Sequence, residues 1–457
     1  MAIKYFSTNK DLSTDSIRGF KKSVSFREAL FMGQAPDKGL FMSSTIPKLS
    51  KEEIISLRGK PYHEVAYEIL KRFLSDDIED QTLRDITKDA YNFDIPIEKL
   101  GNSIHIVRLD QGPTASFKDF AARFVAFAMK ALKKTDEKIT VLTATSGDTG
   151  GAIGNAFHGF SDFNVYILYP RDEVSTIQKN QLDSIGDNIR AIAIDGKFDD
   201  CQRLVKEAFS DPTLRNLKLT SANSINIGRI LPQICYYFYI YTRVMKKFEP
   251  VLFSVPSGNL GNALGCEIAR RMGLPVKTLI IATNENDEFP KFLSTGKYRK
   301  IVPSRKCLSN AMNVGNPSNL ARLFDLYGGT LDREGNVHRV PDIKQMKETI
   351  YSVSITDQET RQTIQKTYKK YGSILEPHGA VAVAALQKFS VTDSITPAIS
   401  IETAHPAKFP EVLKKIIDAK IEIPDALENA HAKKGSCDHL SKEYNDFRQY
   451  LLRRSEK

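Results

Sequence analysis

No stretch of this 457-residue chain approaches the roughly 18–20 consecutive apolar residues that a membrane-spanning helix needs. The N-terminus, MAIKYFSTNKDLS, lacks a basic segment followed by an apolar one, so no secretory signal is read there and a cytoplasmic address is expected. Cysteine is sparse. Cys201, Cys235, Cys266, Cys307 and Cys437 are scattered, form no Cys-x-x-Cys pair and join no Cys/His cluster of zinc spacing. Reduced thiols are expected, and no metal. The Walker ending Gly-Lys-Ser/Thr and the fingerprint Gly-x-Gly-x-x-Gly are both missing, which argues against nucleotide binding and against a Rossmann dehydrogenase. Internal repeats and low-complexity tracts are absent too. A net charge of +10 raises the question of nucleic acid, but the basic residues are interleaved with acids along the whole chain. Short clusters such as Lys246-Lys247, Arg270-Arg271 and Lys414-Lys415 read as solvated helix faces with a mild attraction for anionic substrates. Neither nucleic acid nor membrane is expected as a partner.

What the chain does contain is an ordinary globular composition, 41% hydrophobic and 26% charged, in a length that calls for more than one domain. Residues 1–95 read as a mainly helical N-terminal region without chemical motifs: SFREALFMG, KEEIISLRG and PYHEVAYEILKRFLSD carry apolar residues three and four apart. From about residue 96 to 425, strands at 138–145, 164–170, 190–195, 251–256, 276–283 and 397–403 alternate with helices at 116–134, 150–159, 199–210, 226–248, 261–272 and 378–388. That alternation predicts an α/β catalytic domain with parallel-rich sheets, helices on their faces and ligand loops at the carboxyl ends of strands. The segment after residue 300 reads as loop with a short helix. Residues 426–457 read as a charged helical extension on the outside.

Three segments sit at such strand ends. In LDQGPTASFKDFAARF (109–124), a Gly-Pro turn leads into a helix with Lys118 near its start. The helix dipole and the neighbouring phenylalanines would lower a lysine's pKa there, as an imine-forming amine requires; by itself, a lone lysine in such a context is more often at the surface. In TATSGDTGGAIGNAF (143–157), a strand feeds Ser146, Asp148 and Thr149 into a helix start that can cradle an anion, or that is simply capped by Asp148 or Thr149. In VPSGNLGNALGCEIARRM (255–272), Gly258, Asn259, Leu260 and Asn262 line a turn whose backbone amides suit a dianionic phosphate. Two anion cradles with a lysine between them imply a cofactor phosphate and an anionic substrate.

Together GPTASFKDFAARF, TATSGDTGGAIGNAF, SANSINIGRILPQICYYF (221–238), PSGNLGNALG and ETAHPAKF (402–409) resemble, in order and spacing, the signature segments of the threonine synthases. These belong to the tryptophan-synthase-β-like, fold type II, pyridoxal phosphate enzymes. The resemblance runs over nearly the whole chain, to about residue 420. It implies a two-lobed fold and pyridoxal 5'-phosphate as cofactor. The implied reaction is conversion of O-phospho-L-homoserine and water to L-threonine and phosphate, by γ-elimination and β-hydration.

Carried over residue by residue, the resemblance makes Lys118 the Schiff-base lysine. Gly258, Asn259, Leu260 and Asn262 become the holders of the cofactor phosphate, and Thr403 the partner of the pyridine nitrogen. A hydroxyl there, unlike a carboxylate, is not expected to keep that nitrogen protonated. Ser146, Asp148 and Thr149 would surround the substrate carboxylate and the cofactor's ring hydroxyl; cysteine synthases have asparagine where Asp148 stands. Asn226, Arg229, Lys408 and Arg123 would grip the leaving phosphate, though each suits a structural ion pair equally well. His378 and His405 are proton-relay candidates for which a structural role is the stronger reading. A related phospho-lyase making 2-oxobutyrate and a catalytically silent phosphate-binding protein are the rival functions. A monomer and a homodimer are equally open.

Overall fold

The computed structural model describes residues 2–14, 16–101, 104–390, 396–432 and 435–455. Among the described residues, its two larger sheets are built from eleven strands. They are β1 (Ile97–Leu100), β2 (Ile104–Arg108), β3 (Ile139–Ala144), β4 (Phe163–Pro170), β5 (Ile189–Asp195), β6 (Leu219–Ser221), β7 (Val251–Pro256), β8 (Val276–Thr283), β9 (Ile350–Ser354), β10 (Ala398–Glu402) and β11 (Asp438–Ser441).

The larger sheet runs β9-β8-β7-β10-β2-β1, parallel except for the β1–β2 pair at one edge. The smaller runs β11-β5-β4-β3-β6 and is parallel throughout. The chain therefore leaves the large sheet after β2, builds most of the small lobe, and returns at β7. Central strands such as β3 (ITVLTA) and β7 (VLFSVP) are buried at every position. Uninterrupted apolar runs are what strands covered by helices on both faces require.

Six helices matter for the site: α1 (Lys118–Leu132), α2 (Asp148–Phe157), α3 (Pro232–Val244), α4 (Gly261–Arg271), α5 (Pro377–Ser390) and α6 (Tyr444–Ser455). The sequence pattern predicts one helix over 226–248. Instead a single 3₁₀ turn, Ile227–Arg229, precedes α3. Pro232 sits at the first helical position, where its missing N–H costs nothing, and the Asn226 side chain caps the turn before it.

The N-terminal region holds helices Phe26–Met32, Lys51–Ser56, Tyr62–Leu74 and Asp80–Ala90, together with an antiparallel pair of short strands, Tyr5–Ser7 and Phe41–Ser43. Ser25 with Glu28 and Ser50 with Glu53 form capping boxes that start the first two helices. This region is welded to α1. The fully buried ring of Phe120 meets those of Tyr62, Tyr91 and Phe93 at centroid distances of 5.3, 6.1 and 4.9 Å. Aromatic pairs of this kind contribute about 0.5–1.5 kcal/mol each beyond area burial, so the start of α1 is held on a rigid base.

The C-terminal stretch corrects the expectation of an external helical extension. β11 adds a parallel edge strand to β5, and α6 buries Phe447 and Leu451 in the small-lobe core beside Leu142, Ile192 and Leu204. Phe447, Tyr450 and Leu451 recur at helical spacing and form an apolar stripe that the surrounding charges obscure. Among the described residues no helix is long and apolar enough to cross a membrane.

Candidate active site

β7, β10 and β2 are neighbours in the large sheet. Parallel strands lie about 4.8 Å apart, so the segments leaving these three carboxyl ends fall within about 10 Å of one another. The carboxyl end of β3, in the small lobe, supplies a fourth segment. A cavity of about 950 Å³ lies where they meet. Lys118, Ser146, Asp148, Thr149 and Arg229 line it, as do Gly258, Asn259, Leu260, Asn262 and Thr403.

The sequence expectation of a helix near Ala115 is shifted: α1 begins at Lys118 itself. The turn before it is stitched to the end of β10, because Phe117 N–H donates to the Thr403 carbonyl at 2.9 Å and His405 N–H to the Ala115 carbonyl at 3.0 Å. Asp119, fully buried, accepts from Thr114 N–H at 2.9 Å and Thr114 Oγ1 at 2.6 Å. These bonds fix where the Lys118 stem leaves the backbone. Its ammonium lies 4.0 Å from the centre of the Phe117 ring. Burial lowers the Lys118 pKa to about 8; Asp148 opposes that shift, and the Arg229 and Lys408 cations reinforce it. An amine so placed is uncharged in a sizeable fraction of molecules near neutrality, which nucleophilic attack on a carbonyl requires.

Asp148 opens α2, facing Lys118 across the cavity floor. Its carboxylate meets the Lys408 ammonium at 2.7 Å and accepts from Gln178 Nε2 at 2.8 Å. Burial alone would raise its pKa, but Lys408 and Lys118, with those hydrogen bonds, bring it down to about 2. Lys408 is itself fully buried and also donates to the Thr114 carbonyl at 3.0 Å. Gly147, at φ +134°, makes the tight turn before α2, and a Cβ there would meet the Gln178 side chain at 2.4 Å.

The β7–α4 turn is the second cradle. Leu260 adopts a left-handed conformation at φ +59°, and no side chain caps the helix behind it, so the first amides of α4 remain open to a ligand. A Cβ on Gly258 would stand 2.7 Å from Met312 Cα and 3.0 Å from the Ala311 carbonyl oxygen, so the backbone approaches as closely as glycine allows. The Asn262 carbonyl oxygen Oδ1 accepts from the hydroxyls of Tyr236 and Tyr237 at 2.5 and 2.6 Å, while its buried Nδ2 has no partner among the described residues. Two tyrosines thus aim a free amide donor at the cradle. An anion fits there, and a buried donor left unmatched would cost about 1–3 kcal/mol.

This constellation suits pyridoxal phosphate: a half-buried low-pKa amine, an anion cradle with a waiting donor, and a hydroxyl at a strand end. Comparison with known proteins agrees. The family profile for pyridoxal-phosphate dependent enzymes matches residues 92–399; profiles for the threonine synthase N terminus and C-terminal part match residues 4–91 and 379–451. The chain is 38% identical over 441 residues to threonine synthase of Haemophilus influenzae, covering 96% of this chain and 99% of that one. The chain belongs to the threonine synthase family. Two solved threonine synthases share its fold. That of Escherichia coli superposes with a TM-score of 0.88 at 34% identity, over 99% of this chain and 100% of the other. The pyridoxal-phosphate-bound enzyme of Brucella melitensis gives 0.90 at 32%, over all of both chains. Family membership makes this protein a pyridoxal-phosphate-dependent lyase of fold type II.

Within this member of the threonine synthase family, several expected site residues do other work. Asn226 does not line the cavity: its amide donates to the carbonyls of Leu30 and Ser221, both at 2.8 Å, and its Oδ1 caps Gly228 N–H at 2.9 Å. Asn223 and Ser224 of the same SANSIN segment reach the cavity instead. Arg123 points away and clamps the carbonyls of Ala90 and Asp89 at 2.7 and 2.5 Å. Lys408 stands behind Asp148, not on the cavity wall. His405 accepts from Ala407 N–H at 3.1 Å and caps a 3₁₀ turn. Arg229 lines the cavity, gives Nη1 to the Ala222 carbonyl at 2.7 Å, and leaves its buried Nε without a partner among the described residues.

The N-terminal region, read from its sequence as free of chemistry, supplies Asn9, Gln34 and Lys38 to the rim of the same cavity. Nothing in the residue pattern marks them. Their approach depends on how Arg322, fully buried, ties the Phe41 carbonyl at 3.0 Å to those of Ser224 and Ile225 at 2.9 and 2.6 Å.

Proposed function

We propose that this cavity converts O-phospho-L-homoserine and water to L-threonine and phosphate, with Lys118 as both cofactor anchor and proton carrier. The observation that supports this best is that the Lys118 amine shares one cavity with two residues that carry unmatched donors, Asn262 Nδ2 and Arg229 Nε, each suited to a different phosphate. When bound, pyridoxal phosphate supplies an electron sink that stabilises negative charge on substrate carbons. The Gly258–Leu260 amides and Asn262 would hold its phosphate, Thr403 would meet its ring nitrogen, and Asp148 would serve its ring oxygen.

The residues of the chain do the rest. Ser146 and Thr149, at the start of α2, hold the substrate carboxylate, helped by the helix N-terminus. Lys118 would take the proton from the α-carbon of the substrate and serve again next to the β-carbon. A pKa of about 8 lets one amine both take and return a proton near neutral pH. The bond from the γ-carbon to the phosphate oxygen breaks, and Arg229 holds the departing dianion. Water then places its hydroxyl on the β-carbon and its other proton ends on the phosphate, while the proton taken from the β-carbon passes to the γ-carbon and the α-carbon is reprotonated.

The test is product analysis of the cofactor-loaded protein with O-phospho-L-homoserine. Threonine and phosphate in equal amounts support the reading. 2-Oxobutyrate with ammonia would identify the phospho-lyase alternative, and no turnover would favour a silent protein.

A further inference from the structure

Glu376 immediately precedes α5, and its fully buried carboxylate accepts four hydrogen bonds. Two come from the first turn of α5: Gly379 N–H to Oε1 at 2.9 Å and His378 N–H to Oε2 at 2.7 Å. They satisfy helix-start donors, and the positive end of the helix favours a negative charge there. The third comes from the His378 ring. Its Nε2 accepts from Ala311 N–H at 3.1 Å, and a backbone N–H can only donate, so the ring proton resides on Nδ1, which donates to Glu376 Oε2. The fourth donor is Thr403, whose Oγ1 lies 3.2 Å from Glu376 Oε1.

Those first three donors have no freedom to reverse. Thr403 therefore spends its single hydroxyl proton on Glu376 and turns its lone pairs to the cavity that it lines. Burial pushes the Glu402 carboxyl well up, Arg108 pulls against that, and Glu376 adds to the rise. Glu402 also accepts from Glu376 N–H at 2.7 Å.

We propose that Glu376 is a positioning residue that fixes Thr403 as a hydrogen-bond acceptor, so that the site holds the ring nitrogen of bound pyridoxal phosphate in its protonated form. The inference rests on the reading above that Thr403 meets that nitrogen. A bare ring nitrogen and a Thr403 lone pair would repel, whereas a protonated nitrogen donates to Thr403 and gains the Glu376 charge behind it. It reverses the expectation, drawn from the hydroxyl alone, of an unprotonated ring, because Glu376 makes the hydroxyl part of a charged network.

The test is the ¹⁵N resonance of ring-labelled pyridoxal phosphate bound to the wild type, Glu376→Gln and Thr403→Val, with borohydride trapping as the check on loading. The expected result is a wild-type resonance at the protonated position that moves toward the unprotonated one in Glu376→Gln. A wild-type resonance at the unprotonated position overturns the proposal, and that measurement stands even if Glu376→Gln fails to fold. A resonance that moves in Thr403→Val but not in Glu376→Gln refutes the role of Glu376 alone. One indifferent to Thr403→Val refutes instead the placement of Thr403 against the ring.

Discussion

Replacing Lys408 by methionine removes the cation behind Asp148 while keeping most of the side-chain volume. Asp148 falls from an ordinary 3.8 to about 2 in the folded protein, which at about 1.4 kcal/mol per tenfold change in proton affinity corresponds to about 2 kcal/mol. The full cost is larger. Lys408 is fully buried and Asp148 nearly so, and breaking a buried pair by deleting one partner typically costs about 3–5 kcal/mol, because the remaining charge stays desolvated. Because its folded pKa is depressed, Asp148 contributes stability that is fully present above about pH 4 and is lost as pH falls through about 2. The variant is therefore expected to lose about 3 kcal/mol at pH 7, with a smaller deficit as pH approaches 4. The double variant Lys408→Met with Asp148→Asn recovers most of the loss, since no unpaired charge remains. Urea unfolding followed by circular dichroism, at equal cofactor occupancy, measures this. A single variant within about 0.5 kcal/mol of wild type, or a double variant no more stable than the single, would refute the reasoning.

Asn262→Asp replaces the waiting Nδ2 donor with a carboxylate oxygen. Losing a hydrogen bond to a charged group is worth about 1.5–3 kcal/mol, so cofactor affinity should fall at least tenfold in equilibrium dialysis. Gly258→Ala forces a methyl against the backbone at Met312, and it should weaken cofactor retention while leaving the far-ultraviolet circular dichroism spectrum unchanged. The rate of cofactor uptake by the cofactor-free protein should rise with pH and level off above about 8, where Lys118 is mostly uncharged; stopped-flow absorbance reads this, and a rise continuing past pH 10 would indicate an ordinary lysine.

The sequence made the architecture legible wherever a strand was buried on both faces. β3 (ITVLTA) and β7 (VLFSVP) are apolar runs broken only by hydroxyl residues, β8 (VKTLIIAT) turns apolar after Thr278, and the glycine-bearing turns after β3 and β7 mark the candidate ligand loops. β1, β2, β6, β9 and β11 escaped because each is short or partly exposed, β11 being a half-exposed edge strand among charges. The same distinction holds in the site. Lys118, Asp148 and the Gly258–Asn262 turn are local in sequence, each set by a strand end and the helix that follows. The partners that tune them are distant: Lys408 behind Asp148, Glu376 behind Thr403, Tyr236 and Tyr237 behind Asn262. Pairings across such separations are made by tertiary packing, and no periodicity announces them. Asn226 shows the converse. It lies inside a motif that reads as functional, and its side chain is consumed by backbone hydrogen bonds.

The most direct test of the account is where the cofactor attaches. Borohydride reduction of the loaded protein, followed by proteolysis and mass spectrometry, should place the pyridoxyl mass on Lys118 within the 109–124 segment, and Lys118→Ala should carry none. Modification of a different lysine, or unchanged turnover in Lys118→Ala, would contradict it.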